Sequence, residues 1–240
     1  MPELAPAPGF RAAGECRARP GAGEVHLWRV PLTGQDPSPN LLSSEERARL
    51  DGFSQEDDRT RSLTSQVALH RILGGYPGIN EVEFTTGPWG KPMLTGGGLE
   101  FSLSHSGDYA LVAVAADTPV GVDLERHGIP DDLHKSASRI FTPSELAHFG
   151  ALPSSAQLQF FYLAWTAKEA VLKALGTGNT VESSSLHLLL PAGNPLQIHL
   201  HAHDQTVPFQ VHGVEIAKGY SAAVASPRHL TTITRFEHAG

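Results

Sequence analysis

Apolar and polar positions alternate over several short stretches of this chain and recur at helical spacing over two longer ones, a pattern that predicts a mixed α and β protein. VHLWRV (Val25 to Val30), LEFSLSH (Leu99 to His105) and YALVAVA (Tyr109 to Ala115) all read as strands, with Leu99, Phe101 and Leu103 sharing a face of the second. VGVDLE continues the alternation, placing Val120, Val122 and Leu124 on one face and Gly121, Asp123 and Glu125 on the other. Glu56 to Leu73 has helical periodicity, with Leu63, Val67, Leu69 and Ile72 toward a core, and it closes at Gly74-Gly75. Before it, SSEERARLDGF carries a serine cap followed by charged helix formers. A second long helix, Ala156 to Leu175, ends in the same way at Gly176-Thr177-Gly178.

These elements come in an order that repeats. The two glycine-closed helix ends lie about 100 residues apart, and KGYSAAVASP (Lys218 to Pro227) echoes GDYALVAVAAD (Gly107 to Asp117) about 110 residues later. The expectation is an α+β fold of two similar, pseudo-symmetric lobes, each a small antiparallel sheet with a long helix packed on it. The division is residues 1–23 as a flexible tail, 24–118 as the N-terminal lobe and 119–240 as the C-terminal lobe. Pro, Gly, Arg and Glu break up the first thirty residues, so no signal-like apolar run is read there.

With 40% hydrophobic and 18% charged residues in 240 positions the chain can build a globular core. Its 18 Lys and Arg against 25 Asp and Glu give a formal charge of -7, so no global positive field exists to gather nucleic acid or an anionic membrane. An anionic ligand would need a local basic pocket. No 18-residue apolar run is present to span a membrane. The single cysteine, Cys16, cannot form an internal disulfide, and a reducing cytoplasm is the simplest setting.

Several groups of residues could carry chemistry. Asp123 and Glu125 leave one strand face about 6.6 Å apart, which suits either a hydrated polar face or a hard cation such as Mg²⁺ or Mn²⁺. Glu169 and Lys173 stand at i and i+4 of a helix, as a surface ion pair or as a carboxylate beside a phosphate-binding lysine. His105, at the end of its strand, could donate to a phosphate oxygen; neither Ser104 nor Ser106 has the glycine setting of a nucleophile elbow. Lys91 could reach an anion from the stiff turn GPWGKP, although Pro92 rules out a phosphate-binding loop continuing into a helix. Arg47, Arg49, Arg59 and Arg61 are largely offset by Glu45, Glu46, Asp57 and Asp58. His199, His201 and His203 alternate on one strand, where diverging side chains disfavour a shared ion.

Taken in order, GKP (Gly90 to Pro92), SLSHSG (Ser102 to Gly107), GVDLE (Gly121 to Glu125) and WTAKEAVLKALGTG (Trp165 to Gly178) resemble the signature of the 4'-phosphopantetheinyl transferases of the large, Sfp-like type. The resemblance runs from about Ser43 to Gly178 and again around Tyr220. It implies a monomer of two lobes that moves the 4'-phosphopantetheine arm of coenzyme A onto a serine of an apo acyl or peptidyl carrier protein, releasing 3',5'-ADP. It further implies that Asp123, Glu125 and Glu169 hold Mg²⁺, with Mn²⁺ as the alternative, and that Glu169 also serves as base. Lys173 would bind the α-phosphate, Ser104 and His105 the nucleotide phosphates, and Lys91 and Arg61 would line the same cleft. Relatives place lysines near the 3'-phosphate where this chain has Glu46, which leaves Arg49 as the candidate contact. Carrier docking falls to the segment from Arg126 to Phe141, with Lys135 and Arg139. Two rival readings use the same residues: a metal-dependent hydrolase of coenzyme A or another nucleotide, and a noncatalytic coenzyme A or carrier-binding module.

Overall fold

The computed structural model describes residues 9–15, 18–33, 37–128, 130, 132–189, 196–202 and 205–238. In chain order its strands and α-helices begin with β1 (Arg11–Ala12), β2 (Glu24–Pro31), α1 (Ser44–Leu50), α2 (Glu56–Gly74), β3 (Phe84–Thr86) and β4 (Pro92–Leu94). There follow β5 (Glu100–Ser106), β6 (Tyr109–Ala115), β7 (Gly121–Arg126), α3 (Leu133–Ile140), α4 (Pro143–Ala151) and α5 (Ser154–Leu175). The chain ends with β8 (Leu186–Leu188), β9 (Leu196–Ala202), β10 (Gln205–Gly213), β11 (Tyr220–Ser226) and β12 (Thr232–Glu237).

The strands form two five-stranded sheets, β1-β12-β2-β6-β5 and β7-β11-β10-β9-β8, with β3 and β4 as a separate hairpin. One long helix lies on each sheet, as the periodicity predicts. Ala68, Leu69, Ile72 and Leu73 of α2 bury against Trp28, Phe101, Val112 and Val114 of the first sheet. Phe161, Ala164, Ala167 and Val171 of α5 bury against Ile198, Phe209, Val211 and Ala223 of the second. The opposite sheet faces meet through a third core, in which Leu27, Leu111 and Ala113 pack with Val120, Val122, Leu124 and Val224. Burying both faces of each sheet explains why strands such as β6 are apolar at nearly every position. The repeated tyrosines of the two sequence echoes meet at this junction, the Tyr109 and Tyr220 rings edge-on with centroids 5.3 Å apart.

The chain's ends depart from the expected division. β12 runs parallel to β2 in the first sheet, so the last strand crosses back from the C-terminal half and makes that sheet mixed rather than antiparallel. β1, in the stretch expected as a flexible tail, pairs parallel with β12, and Phe10 is buried. The exposed edge of β12 supplies unpaired backbone groups that an additional strand satisfies, and Phe10 gains apolar burial under the Arg29 guanidinium. Among the described residues no helix is long and apolar enough to cross a membrane.

Candidate functional site

β5 and β7 are the edges of different sheets and lie side by side without a backbone ladder, joined instead by alternate serines of β5. Ser102 Oγ accepts from Val122 N at 3.1 Å, Ser104 Oγ from Leu124 N at 3.3 Å and Ser106 Oγ from Arg126 N at 3.0 Å. The period of two places these hydroxyls on one face and aligns them with β7. Two of them also donate to the acids: Ser104 to Asp123 Oδ1 at 3.0 Å and Ser106 to Glu125 Oε2 at 3.1 Å.

α5 closes over this seam because Gly121 has no side chain. A Cβ there would stand 1.9 Å from the Ala170 carbonyl oxygen and 2.5 Å from Ala174 N, so any larger residue would push the helix off β7. The close approach carries Lys173 to Asp123: its Nζ donates to Oδ1 at 2.7 Å and to Ser104 Oγ at 2.8 Å. The i,i+4 partner suggested by spacing, Glu169, instead accepts from Ser183 Oγ at 3.1 Å. Ser183 follows the helix in a 3₁₀ turn, and no local pattern marked it as a site residue.

The Ser104 hydroxyl donates once and accepts twice in these contacts, which fills its capacity. It positions Asp123 and Lys173 rather than presenting a free group to a phosphate. Lys91 lies just before β4 with its stem over Gly176, where a Cβ would stand 2.9 Å from Lys91 Cδ. Its ammonium donates to Val120 O at 3.1 Å and Ala174 O at 3.4 Å, holding the hairpin to the end of α5, and burial lowers its pKa.

A cavity of about 1250 Å³ opens beside this cluster, bordered by Lys91, Glu169 and Lys173 on one side and by α1 on the other. Arg49 borders its far wall. Glu46 also lines it, with its carboxylate already engaged: it accepts from Ser43 N at 2.8 Å and meets His70 Nε2 at 2.9 Å. Arg61 stands outside that lining, paired with Asp58 at 3.2 Å. His105 has an exposed edge on β5; the packing around its ring and the charge of Lys173 lower its pKa, Arg61 adds to this, and Asp58 opposes it.

The acids are electrostatically crowded. Burial, then the charge of Asp123, pushes the Glu125 carboxyl up to about 7. The same two causes, in the same order, raise Glu169, while Ser183 and Lys173 oppose them. Among the described residues no group of three or more His, Cys, Asp or Glu is arranged to hold an ion as it stands. The donor set nevertheless fits a hard cation: Asp123 Oδ2 is buried without a hydrogen-bond partner, and two further carboxylates are destabilised as anions beside it.

Lys168, next to Glu169 in sequence, belongs elsewhere. It is fully buried, donates to Ile140 O at 2.8 Å and to Glu145 Oε2 at 2.5 Å, and ties α5 to the capping box of α4. Of the histidine stretch, His199 is half-buried on β9, while His203 and the lone Cys16 lie outside the described residues. Lys135 and Arg139 are exposed on α3.

Comparison with known proteins yields two adjacent family matches. Residues 36–117 match the family described as 4'-phosphopantetheinyl transferase, N-terminal, and residues 119–225 match the 4'-phosphopantetheinyl transferase superfamily. The chain is 40% identical over 167 residues to the 4'-phosphopantetheinyl transferase HetI of Nostoc, covering 65% of this chain and 70% of HetI. It is 30% identical over 202 residues to the 4'-phosphopantetheinyl transferase psf-1 of Bacillus pumilus, with 81% of this chain and 84% of that one covered. To Sfp of Bacillus subtilis it is 26% identical over 203 residues, with 81% and 88% covered.

Proposed function

The chain belongs to the 4'-phosphopantetheinyl transferases, and from that premise we propose that it moves the phosphopantetheine arm of coenzyme A onto a serine hydroxyl of an apo acyl or peptidyl carrier protein, with Mg²⁺, releasing 3',5'-ADP. The observation that carries this reading is the Asp123, Lys173 and Ser104 cluster, with Glu169 beside it, at the edge of a cavity between α1 and α5.

Coenzyme A occupies the cavity, its pyrophosphate near Lys173 and its 3'-phosphate toward Arg49. Asp123, Glu125 and Glu169 would hold the ion, which when bound supplies charge neutralisation at the phosphate oxygens. Glu169 takes the proton from the carrier serine. The serine oxygen bonds to the β-phosphorus as the bond to the bridging oxygen breaks, and Lys173 stabilises the charge developing on the leaving phosphate. His105 stands beside Lys173 and contacts the nucleotide phosphates as a neutral donor. Ser104 contributes by fixing Asp123 and Lys173. The carrier docks as one partner to a monomer, its acidic surface against Lys135 and Arg139 of α3, and the setting is the cytoplasm.

The test is the intact mass of an apo carrier domain after incubation with the protein, coenzyme A and Mg²⁺, run beside Glu169→Gln. A phosphopantetheine adduct that disappears with the substitution or with chelator is expected. Loss of coenzyme A without any carrier present would favour the hydrolase instead. Replacing Lys135 and Arg139 together by Glu should raise KM for the carrier and leave coenzyme A binding unchanged.

A further inference from the structure

Glu169 and Lys173 are placed by helical spacing to pair with each other, and in the structure they do not. Lys173 is drawn across the seam to Asp123 and Ser104, while the Glu169 carboxylate is held from the opposite direction by the Ser183 hydroxyl. We propose that Ser183 is a positioning residue of the transfer reaction, holding Glu169 away from Lys173 so that the carboxylate faces the cavity and Lys173 stays on Asp123. This rests on the reading of Glu169 as base and ion ligand given above.

The geometry supports a division of labour between the two carboxylate oxygens. Ser183 Oγ donates to Oε1 at 3.1 Å, which restrains the carboxylate and leaves Oε2 unclaimed by this hydroxyl, and Glu169 itself borders the cavity. A hydrogen bond from a neutral hydroxyl orients the group without neutralising it, whereas an ion pair with Lys173 would occupy the base with a cation. The loop that brings Ser183 to this point is held at both of its ends. Gly176 takes the left-handed conformation, φ +69°, that closes α5, and the Ser185 backbone N–H donates to Glu182 O at 2.9 Å. Gly178, between them, lies against the hairpin, where an added Cβ would stand 2.9 Å from the Trp89 carbonyl oxygen. The hydroxyl is therefore presented to α5 by a turn with little freedom to drift.

Without the hydroxyl, Lys173, one turn along the helix, is an alternative partner for Glu169. Forming that pair removes the free carboxylate and weakens the hold of Lys173 on Asp123 in one movement. A partner that orients a functional carboxylate is typically worth about 10- to 100-fold in activity, which sets the expected scale.

The experiment compares Ser183→Ala, Ser183→Thr and Glu169→Gln with the unaltered chain. It measures kcat and KM for carrier modification, the Kd for coenzyme A by calorimetry without added metal, and Tm. Ser183→Ala should lower kcat by about 10- to 100-fold with KM, coenzyme A Kd and Tm nearly unchanged, and Ser183→Thr, which keeps the hydroxyl, should recover most of the rate. A Ser183→Ala enzyme as fast as the unaltered chain, beside an inactive Glu169→Gln, would overturn the proposal while leaving the reading of the site intact. A fall in Tm that accounts for the lost rate and that Ser183→Thr does not repair would reduce Ser183 to a structural role and overturn it as well. An active Glu169→Gln would remove the base assignment itself, and the proposal with it.

Discussion

Lys173 Nζ lies 2.7 Å from Asp123 Oδ1, a contact that joins the last turn of α5 to the edge strand of the second sheet. Asp123 is almost fully buried while the Lys173 side chain is about one-third exposed, 34%, so the cation can turn outward to a ligand and the anion cannot. Among the described residues the other Asp123 oxygen, Oδ2, has no hydrogen-bond partner. The pair sets a movable ammonium at one end of the cavity with a fixed, buried acid behind it.

Lys173→Met should keep the overall fold at some cost in stability, because the nearly buried Asp123 loses its cation and keeps only the Ser104 hydrogen bond, and should lower kcat by about 10²- to 10³-fold through loss of charge stabilisation at the leaving phosphate. Steady-state kinetics with a fixed carrier checks it; a change confined to KM for coenzyme A would assign Lys173 to ground-state binding alone.

Gly121→Ala tests the close approach of α5 to β7. The added methyl has no room against the Ala170 carbonyl, so the helix must move and the substitution should destabilise by about 1–3 kcal/mol or more. Urea unfolding measures the cost. Activity should fall further than stability, since the same movement separates Lys173 from Asp123.

Lys168→Met removes one member of a fully buried ion pair and leaves the Glu145 charge without its cation, at a cost of about 3–5 kcal/mol. Replacing Glu145 and Lys168 together by Met should recover part of that loss. The recovery is incomplete because Glu145 also accepts from Thr142 N at 2.9 Å and Leu188 N at 2.7 Å, and both would be orphaned. Thermal unfolding of the single and double variants decides the matter.

His238, just after β12, is held well below the ordinary imidazole value, to about 4, by burial and then by the charge of Arg71. A depressed folded-state pKa means the native protein favours the neutral ring. Its contribution to stability is present above the unfolded value near 6.5 and is lost as pH falls toward 4. Tm should drop more steeply between pH 6.5 and 4.5 for the unaltered chain than for His238→Phe; equal slopes would show that other groups govern the acid limb.

What the sequence determined by itself was whatever depends on local periodicity. Strand alternation placed Asp123 and Glu125 on one face of β7, the glycine closures bounded α2 and α5, and the four motifs carried the family resemblance that the comparisons established. Helical spacing likewise put Glu169 and Lys173 on one stripe. It could not decide whom they meet, because an i,i+4 pair competes with partners supplied by distant segments: Asp123 lies 50 residues from Lys173, and Ser183 lies beyond the helix end, 14 residues from Glu169. The return of β12 to the first sheet, the pairing of β1 with it and the engagement of Lys91 at the end of α5 belong to the same class. Each rests on an edge, a carbonyl or a carboxylate that becomes available only once the sheets and helices have packed. Tertiary structure alone therefore decided which side chains remained free for chemistry.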